Sequence, residues 1–315
     1  MHHQELRLRM SGNRVVYQSL NAAVLAGDGK WSERFTTYLM GKKVIEYPID
    51  VLMKRGFDVA VLARDEERFE DLGIPILKQR RKGLVGALLD VVDQMGTPVL
   101  IVYGDVIADE NFYLSPLSAP AKCSVSAVPF VPSPRHSTLD LSGKALATGA
   151  TSSYIFGGVM LLDTPCVEEL RKYSDLIKAI NDMISKNLVD VILYDGMWID
   201  IDEPKDLIKA LRILIENKVR GEFISSDAEV HPTAVIKGKV YIDRKAKIGP
   251  YVIIEGPAYI GKNVVIEALS YIKSSSVEEH SLVETFTRIE KSVIQPGAKI
   301  KAFERLEEEV IYEKT

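Results

Sequence analysis

The sequence is short of cysteine, contains few histidines and lacks any long apolar run. Its two cysteines, Cys123 and Cys166, are too few for a disulfide framework or a zinc site. Both stand among apolar neighbours, so we expect buried free thiols and a reducing, cytoplasmic compartment. No stretch reaches the ~20 apolar residues that a membrane-spanning helix needs. A net charge of −4 gives nucleic acid no general attraction. We therefore expect neither a membrane nor a nucleic acid as a partner.

At 315 residues, the chain is long for one domain and suits two. Its polar start predicts a flexible leader over residues 1–13, followed by an α/β domain over residues 14–217. Residues 218–228, KVRGEFISSDA, contain glycine and paired serines, which are typical of a linker. Residues 229–315 are predicted to form a second domain with a charged C-terminal tail.

Aliphatic residues recur every six positions in the C-terminal part of the chain: Val230, Ile236, Ile242, Ile248, Ile254, Ile260, Ile266 and Ile272. A small or β-branched residue stands two positions before each, and the register slips by one after Ile272. A period of six fits neither a helix nor a flat strand, but it is typical of a triangular parallel β-helix. We predict a left-handed β-helix of about four coils, each of roughly 18 residues. Its flat faces and open end favour a homo-oligomer.

Apolar runs alternate with helical patterns through the N-terminal two-thirds. Strands are predicted over residues 21–26, 57–62, 99–103, 125–131, 154–162 and 189–194. Helices are predicted over residues 43–55, 84–92 and 203–217, and one or two helices over residues 167–186. This alternation predicts an α/β sandwich with a mixed, mostly parallel sheet. Ligands of such sheets bind beyond the carboxyl ends of the strands, so the segments that follow the strands are candidates for a site.

Two of these segments combine glycine with cations. Ala26-Gly27-Asp28-Gly29-Lys30 follows the first strand, where glycine N–H groups and a lysine suit phosphate. Turn geometry alone also explains those glycines. In the segment from Gln79 to Gly83, the glutamine suits the edge of a base, and the glycine lets a flat ligand approach the backbone. Its basic residues, Arg80, Arg81 and Lys82, indicate either a phosphate contact or a solvated turn.

Two further segments carry carboxylates. Asp105, in Tyr103-Gly104-Asp105, follows the most hydrophobic strand and is suited either to a divalent cation or to capping the next helix. Asp200 and Asp202 alternate with isoleucines and therefore share one strand face. One of them suits a metal and the other the cap of the helix that Pro204 begins. Carboxylates from separate strands predict Mg²⁺ bound together with substrate phosphates.

The order of these motifs resembles the sugar-1-phosphate nucleotidylyltransferase family, many members of which join a Rossmann-like, GT-A-like nucleotidyltransferase domain to a left-handed β-helix. The resemblance covers the chain from about residue 21. Residues 79–88 look like the family's Q-x-x-x-G-T-A-x-A-L, and residues 41–47 resemble G-K-P-L-I-E-Y. Residues 198–207 are similar to W-x-D-I-x-T-P-E-D-L. The resemblance implies base recognition by Gln79 and Gly83, with the glutamine favouring a pyrimidine. It also implies metal ligation by Asp105 and Asp200, with Gly104 in the nucleotide site and Gly157 facing the sugar.

The sequence departs from the family at its cations. The opening loop is shorter than L-A-A-G-x-G-T-R, and Trp31 follows Lys30. Counting back from Gly41 places Arg34 where the family has the lysine of its P-K pair, so Lys30 and Arg34 are the candidate catalytic cations. The family's E-K-P segment has no match between residues 139 and 154, where Lys144 is the nearest basic substitute.

Three functions follow from these observations. The first is Mg²⁺-dependent nucleotidylyl transfer from an NTP, UTP or dTTP, to a sugar 1-phosphate, which gives a nucleotide-sugar and pyrophosphate. The second is a catalytically impaired homologue that binds nucleotide or nucleotide-sugar and acts on a partner through its β-helix. The third is acyl transfer on the β-helix with His280 as general base. A lone histidine in a polar turn is more often a solvated surface residue, which disfavours the third.

Overall fold

The structure is a computed structural model that describes residues 8–11, 14–17, 20–27, 31–119, 123–129, 139, 141 and 154–312. The chain forms two compact units: residues 1–35 with 45–198, and residues 36–44 with 199–315. The helices are α1 (Glu46–Lys54), α2 (Gly83–Met95), α3 (Glu110–Leu114), α4 (Thr164–Leu170), α5 (Leu176–Ser185) and α6 (Pro204–Lys218). Short 3₁₀ helices cover Ser32–Phe35, Glu67–Leu72 and Ser115–Ser118.

Thirteen strands precede α6 in the described part of the chain: β1 (Leu8–Ser11), β2 (Arg14–Tyr17), β3 (Asn21–Ala26), β4 (Tyr38–Leu39), β5 (Lys42–Lys43), β6 (Asp58–Ala63), β7 (Ile76–Lys78), β8 (Val99–Tyr103), β9 (Val106–Ala108), β10 (Ser124–Pro129), β11 (Tyr154–Leu162), β12 (Asp190–Leu193) and β13 (Trp198–Asp200). β1 pairs with β2, so a strand covers residues 8–11 of the segment expected to be a flexible leader. Residues 1–7, 12 and 13 of that leader lie outside the described residues.

The first unit is built on a seven-stranded sheet with the order β12-β10-β11-β8-β3-β6-β7. β3 pairs in parallel with β6 and β8, whereas β11 runs antiparallel to both β8 and β10. Alternate residues of the buried β3 point to opposite faces of the sheet. Ala23 and Leu25 join a core with α2, α4 and α5, and Ala22 and Val24 join a second core with α1 and α3. The predicted α/β sandwich with a mixed, mostly parallel sheet is confirmed.

Sixteen strands follow α6 in the described chain: β14 (Glu222–Ile224), β15 (Glu229–Val230), β16 (Val235–Lys237), β17 (Val240–Ile242), β18 (Lys247–Ile248), β19 (Ile253–Glu255), β20 (Ala258–Ile260), β21 (Val265–Ile266), β22 (Tyr271–Lys273), β23 (Ser276–Val277), β24 (Leu282–Val283), β25 (Arg288–Glu290), β26 (Val293–Ile294), β27 (Lys299–Ile300), β28 (Arg305–Glu307) and β29 (Val310–Ile311). They form three parallel sheets, in which every third strand is a neighbour. The six-residue pattern is thus a parallel β-helix, and its aliphatic residues fill the interior.

The slip in the six-residue pattern is a change in coil length. Val240 pairs with Ala258, 18 positions later, whereas Val293 pairs with Val310, 17 positions later. The β-helix also starts earlier than the predicted second domain. β14 lies inside the segment interpreted as a linker, and it pairs with β17. Gly221 and the serines suggested a linker, but the neighbouring coil satisfies the hydrogen bonds of this backbone.

The hairpin of β4 and β5 is a local feature of the second unit. Tyr38 pairs with Lys43 and Leu39 with Lys42, and the two turn residues, Met40 and Gly41, both have positive φ. Two successive residues of positive φ are typical of the tight turns that match the twist of a two-stranded ribbon. Residues 43–45 were predicted to be helical, but α1 begins only at Glu46.

The two cysteines differ from the expectation of free thiols. Cys123, just before β10, and Cys166, in α4, form a disulfide and are both buried. They are 43 positions apart in the sequence, so only the packing of α4 on the sheet brings them together. Within the part of the chain that the structure describes, no helix is both long and apolar enough to cross a membrane.

Candidate active site

The predicted phosphate loop begins where the central strands end. β3 ends at the buried Ala26, and the half-buried Gly27 follows it. Its neighbour β8 ends in register, because Leu25 pairs with Tyr103. Asp28, Gly29 and the candidate catalytic Lys30 lie outside the described residues. The structure therefore brings Ala26 and Gly27 to the same sheet edge as Gly104.

Gly104 is fixed by close packing against β3. Its N–H donates to the Leu25 carbonyl at 3.0 Å, which continues the ladder past the end of β8. A Cβ atom at this position would lie 2.8 Å from that carbonyl oxygen and 3.1 Å from Ile45 Cγ1. Only glycine fits so close to a neighbouring backbone. This packing fixes the direction in which the next residue, Asp105, leaves the sheet.

The candidate catalytic cation and a candidate metal ligand form an ion pair. Arg34 Nε donates to Asp105 Oδ2 at 2.8 Å, and each side chain is only 11% exposed. Arg34 Nη1 donates to the Trp31 carbonyl at 2.7 Å, and the guanidinium lies 4.4 Å from the centre of the Phe35 ring. The carbonyl and the ring orient the guanidinium toward Asp105. A charge-assisted hydrogen bond this little exposed to water is stronger than an exposed one.

Asp105 does not cap a helix, which removes the alternative interpretation of this residue. It lies in the turn between β8 and β9, and the next helix, α3, starts after Asp109. Asp109 instead accepts hydrogen bonds from the Tyr194 hydroxyl at 2.8 Å and the Met197 N–H at 2.9 Å. Asp109 therefore has a structural role, and Asp105 is the acidic residue at the end of β8.

The predicted base-recognition loop is held by a buried carboxylate. Asp90 in α2 accepts the N–H groups of Arg80 and Arg81 at 2.6 and 2.7 Å, and Arg81 Nη1 bonds its other oxygen at 2.7 Å. The pKa of Asp93 is lowered by its hydrogen bond from Arg81, so Arg81 neutralises two carboxylates of α2. Arg81 therefore has a structural role although its side chain is 43% exposed. Arg80 and Lys82 are exposed as well.

Gln79 and Gly83 lie at the two ends of this loop. The Gln79 side chain is largely buried, and its Nε2 donates to the Arg81 carbonyl at 3.0 Å. Gly83 begins α2 with φ of +74°, and a Cβ atom there would meet nothing within 4 Å. The glycine is thus required for its conformation, and it leaves the backbone open on that side.

Gly157 is enclosed by side chains. A Cβ atom there would lie 2.9 Å from Ser126 Oγ and 3.0 Å from the Phe112 ring. The Gly157 carbonyl accepts a hydrogen bond from Trp198 Nε1 at 2.9 Å. Packing alone explains a glycine here, and its sugar-facing role stays a prediction.

Asp200 belongs to the second unit and ends β13, where it is half-buried. The cap of α6 is not Asp202, as the alternation suggested, but Glu203. Asp206 Oδ2 accepts the Glu203 N–H at 3.0 Å, and Pro204 occupies the first turn. A capping box supplies this start because Asp206 lies three residues after Glu203. Over the described ranges, no group of three or more His, Cys, Asp and Glu side chains is arranged to hold a metal ion.

Much of this chain is similar to known proteins. A family model, the GMPPB C-terminal domain, matches residues 236–315. A bifunctional sugar-1-phosphate nucleotidylyltransferase/acetyltransferase of Sulfurisphaera tokodaii is 28% identical over 237 residues, 68% of this chain. This part of the chain is thus similar to a sugar-1-phosphate nucleotidylyltransferase. It spans 58% of the length of this curated protein.

Sequence reasoning missed a polar column on the β-helix. Glu278, Gln295 and Tyr312 follow the ends of β23, β26 and β29, so they occupy one position in three successive coils. Gly261 holds the same position one coil earlier. A carboxyl and an amide at the position that Gly261 holds one coil earlier were the available signal. All three side chains bond the hairpin of residues 36–44.

Proposed function

We propose that the chain transfers a nucleotidyl group from UTP or dTTP to a sugar 1-phosphate, with Mg²⁺, and releases pyrophosphate. The observation that carries this proposal is the buried acidic turn Gly104-Asp105 at the end of β8, beside β3, which ends at Ala26. The likeness to a curated sugar-1-phosphate nucleotidylyltransferase supports it. The position agrees with the general placement of ligands in α/β sheets.

The reaction needs positioning and charge neutralisation more than covalent chemistry. An oxygen of the sugar phosphate attacks the α-phosphorus of the NTP, the bond to the β-phosphate oxygen breaks, and pyrophosphate leaves. No covalent enzyme intermediate is required. Asp105 and Asp200 would hold Mg²⁺, which prefers hard oxygen ligands, and the ion would supply neutralisation of the phosphate charge.

The cations of the opening loop would hold the leaving pyrophosphate. Arg34 is already oriented by the Trp31 carbonyl and the Phe35 ring. A guanidinium binds two oxygens in a fixed plane, which suits a phosphate. In this proposal Arg34 exchanges Asp105 for the phosphates, and Lys30 assists it.

The hydrogen bond of Gln79 favours a uracil or thymine base. Its Nε2 donates to the Arg81 carbonyl, so Oε1 is the atom that would meet the base. Uracil and thymine carry an N3–H donor, which an amide oxygen accepts. Cytosine carries an acceptor at that position, so the same oxygen would repel it.

One observation favours the second candidate, a binding homologue with impaired catalysis. In the structure, Asp105 bonds an arginine of the same unit, and this arginine offsets the charge expected to attract a metal. A chain that keeps this pair when nucleotide binds would hold the nucleotide without turning it over. The two candidates therefore differ in what Arg34 does when the nucleotide arrives.

We also infer a homo-oligomer that forms through the β-helix. One of its corners carries four exposed apolar side chains, at one position in successive coils: Tyr251, Leu269, Phe286 and Phe303. The Phe286 and Phe303 rings are stacked, with centroids 5.2 Å apart. We name these four residues the apolar ridge. Contiguous exposed apolar surface of this kind marks interaction sites.

The test of the transferase is pyrophosphate release from Mg²⁺ with UTP or dTTP and a panel of sugar 1-phosphates. Activity with one pair should fall by about 10²-fold or more in Asp105→Asn, because the ligand charge is lost without a change in shape. Asp58→Asn, on an exposed aspartate at the start of β6, is the matched control and should retain activity. No release with any pair, together with measurable nucleotide binding, would replace the transferase with the binding homologue.

A further inference from the structure

The β4–β5 hairpin, residues 36–44, is bound by the polar column through its backbone. Glu278 Oε1 accepts the Met40 N–H and Oε2 accepts the Gly41 N–H, both at 2.8 Å. These are the two turn residues with positive φ, so their N–H groups point the same way and can share one carboxyl. Both oxygens of the Glu278 carboxyl are thus engaged by adjacent backbone N–H groups of the turn.

The next two coils bind the strand that leads into this turn. The Gln295 carboxamide accepts the Tyr38 N–H at 2.7 Å and donates to the Tyr38 carbonyl at 2.9 Å. Thr37 Oγ1 lies 3.2 Å from the Tyr312 hydroxyl. The hairpin therefore crosses three coils, and one side chain of the column meets it in each.

The fit allows little variation in the hairpin. A Cβ atom on Gly41 would lie 2.7 Å from the Tyr259 hydroxyl, and its φ of +77° already favours glycine. Glu278 is fully buried, and the Ser276 hydroxyl also donates to its Oε1. A buried carboxyl with three donors is costly to leave unpaired, so the hairpin and the column stabilise each other.

We propose that Glu278, Gln295 and Tyr312 are positioning residues through which the β-helix holds hairpin 36–44, the segment between Arg34 and α1. The hairpin carries Lys42 and Lys43, in the segment that resembles G-K-P-L-I-E-Y. The consequence for turnover rests on the proposed function, whereas the anchoring itself does not. Displacement of the column would release the backbone that follows Arg34.

The titration of Glu278 makes this anchoring depend on pH. Burial raises the pKa of Glu278 from 4.5 to about 7, against the hydrogen bonds from Ser276, Gly41 and Met40, which lower it. The neighbouring Glu279 raises this pKa further. Across from it, Tyr259 on β20 bonds Asp243 and has its own pKa raised by burial, while the charged residues of the hairpin are Lys42 and Lys43.

The direction of the pH effect follows from proton binding. Release of the hairpin exposes the carboxyl to water, which returns its pKa toward 4.5, so the anchored state binds the proton more tightly. The anchored hairpin is therefore fully favoured below pH 4.5. It loses this advantage as the pH rises through about 7.

The test is amide hydrogen exchange of the peptide containing residues 36–44, measured by mass spectrometry on the full chain without substrate. At pH 6, Glu278→Ala should speed the exchange about tenfold or more, because both N–H groups lose their acceptor. Glu279→Ala removes the adjacent carboxylate, which has no side-chain hydrogen bond to the hairpin, and should speed the exchange far less than Glu278→Ala, because both N–H groups keep their acceptor. Equal exchange in wild type and Glu278→Ala, with unchanged thermal unfolding, would overturn the proposal.

Two further variants separate anchoring from a general loss of structure. In wild type, exchange corrected for its intrinsic pH dependence should rise by at least about tenfold from pH 5 to pH 8. Glu278→Gln, which does not titrate, should abolish that rise, and retention of the rise would assign it to another group. If Glu278→Ala fails to fold, Gln295→Ala should still expose the Tyr38 amide, and no change there would contradict the proposal. Because exchange needs no turnover, an inactive chain leaves the test intact.

Discussion

At the scale of single residues, the proposed function depends on the ion pair of Arg34 and Asp105. The sequence predicted a different role for each partner. Arg34 was expected to hold phosphates, and Asp105 was expected to hold a metal ion. The structure joins them at 2.8 Å with little exposure to water. Removing either partner leaves the other charge unpaired, so the two substitutions report different steps of the same process.

Replacement of Arg34 distinguishes the two candidate functions. If Arg34 holds the leaving pyrophosphate, Arg34→Ala should lower kcat by about 10²-fold, because an electrostatic clamp on the phosphates is lost. Arg212→Ala removes an arginine from an exposed ion pair on α6 and should leave the rate unchanged. Steady-state pyrophosphate release at saturating Mg²⁺ measures both. A gain in turnover, or tighter Mg²⁺ binding by titration calorimetry, would show that Arg34 blocks Asp105 instead.

At the scale of elements, the site depends on how closely strands and helices approach one another. β11 crosses the sheet beside β8 and β10, and Gly157 lets Phe112 of α3 and Ser126 of β10 meet its backbone. A closely packed protein interior has little room for added atoms. Gly157, which was predicted to face the sugar, thus also lets α3 pack closely against the sheet.

Addition of one methyl group at Gly157 should therefore destabilise the first unit. Gly157→Ala is expected to lower the free energy of unfolding by about 1–3 kcal/mol, since the new Cβ atom overlaps two neighbours. Denaturant unfolding followed by circular dichroism measures the change. Gly27→Ala is the comparison, because a Cβ atom there meets nothing within 4 Å and the residue does not need positive φ. Equal midpoints for the two variants would contradict this account of Gly157.

The sequence predicted those elements whose signal is local. β8 and β11 were predicted with the bounds that the structure has, because each is an apolar run with turns at its ends. The β-helix was predicted because its period matches no other structure. The hairpin was not, since Lys42 and Lys43 form a strand only where the turn meets Glu278, 237 positions or more away. β14 was not predicted either, because it forms a strand only by pairing with β17 in the next coil.

The candidate site was predictable in part. Residue type and place at a strand end were sufficient to select Asp105 and Gln79. The bonding of Arg34 to Asp105, of Arg81 to Asp90 and of Cys123 to Cys166 was not predictable, because each depends on side chains that only the tertiary fold brings together. The N-terminal cap of α6 was also predicted one residue too early, at Asp202 instead of Glu203.

At the scale of the whole molecule, the apolar ridge is the surface that most needs a partner. Its four residues keep positive φ while exposing large side chains, so nothing within the described chain covers them. Because coils stack in register, the ridge lengthens with each coil and presents a continuous strip. A second copy of the chain carries the same strip, which suits an interface related by symmetry.

The oligomer should therefore dissociate when the ridge becomes charged. The double variant Phe286→Asp, Phe303→Asp is expected to lower the molar mass in solution from a multiple of 35.1 kDa to that of a single chain. Light scattering after size-exclusion chromatography gives the mass. Phe223→Ser, on an exposed ring of the first coil that stacks on Tyr241 away from the ridge, is the matched control. A wild-type mass of one chain, or an unchanged mass in the double variant, would rule out this interface.

The distance along the chain between the hairpin and its anchors sets an order of events during synthesis. The hairpin is synthesised before its anchors, because its partners Gln295 and Tyr312 follow 257 and 275 positions later. At ~5–20 residues per second, the hairpin waits for many seconds before they exist. Closing so long a loop adds little entropy cost once the coils have stacked. A chain that is truncated or stalled before Gln295 would thus lack this contact, so the hairpin becomes fully anchored only after Tyr312 has been made.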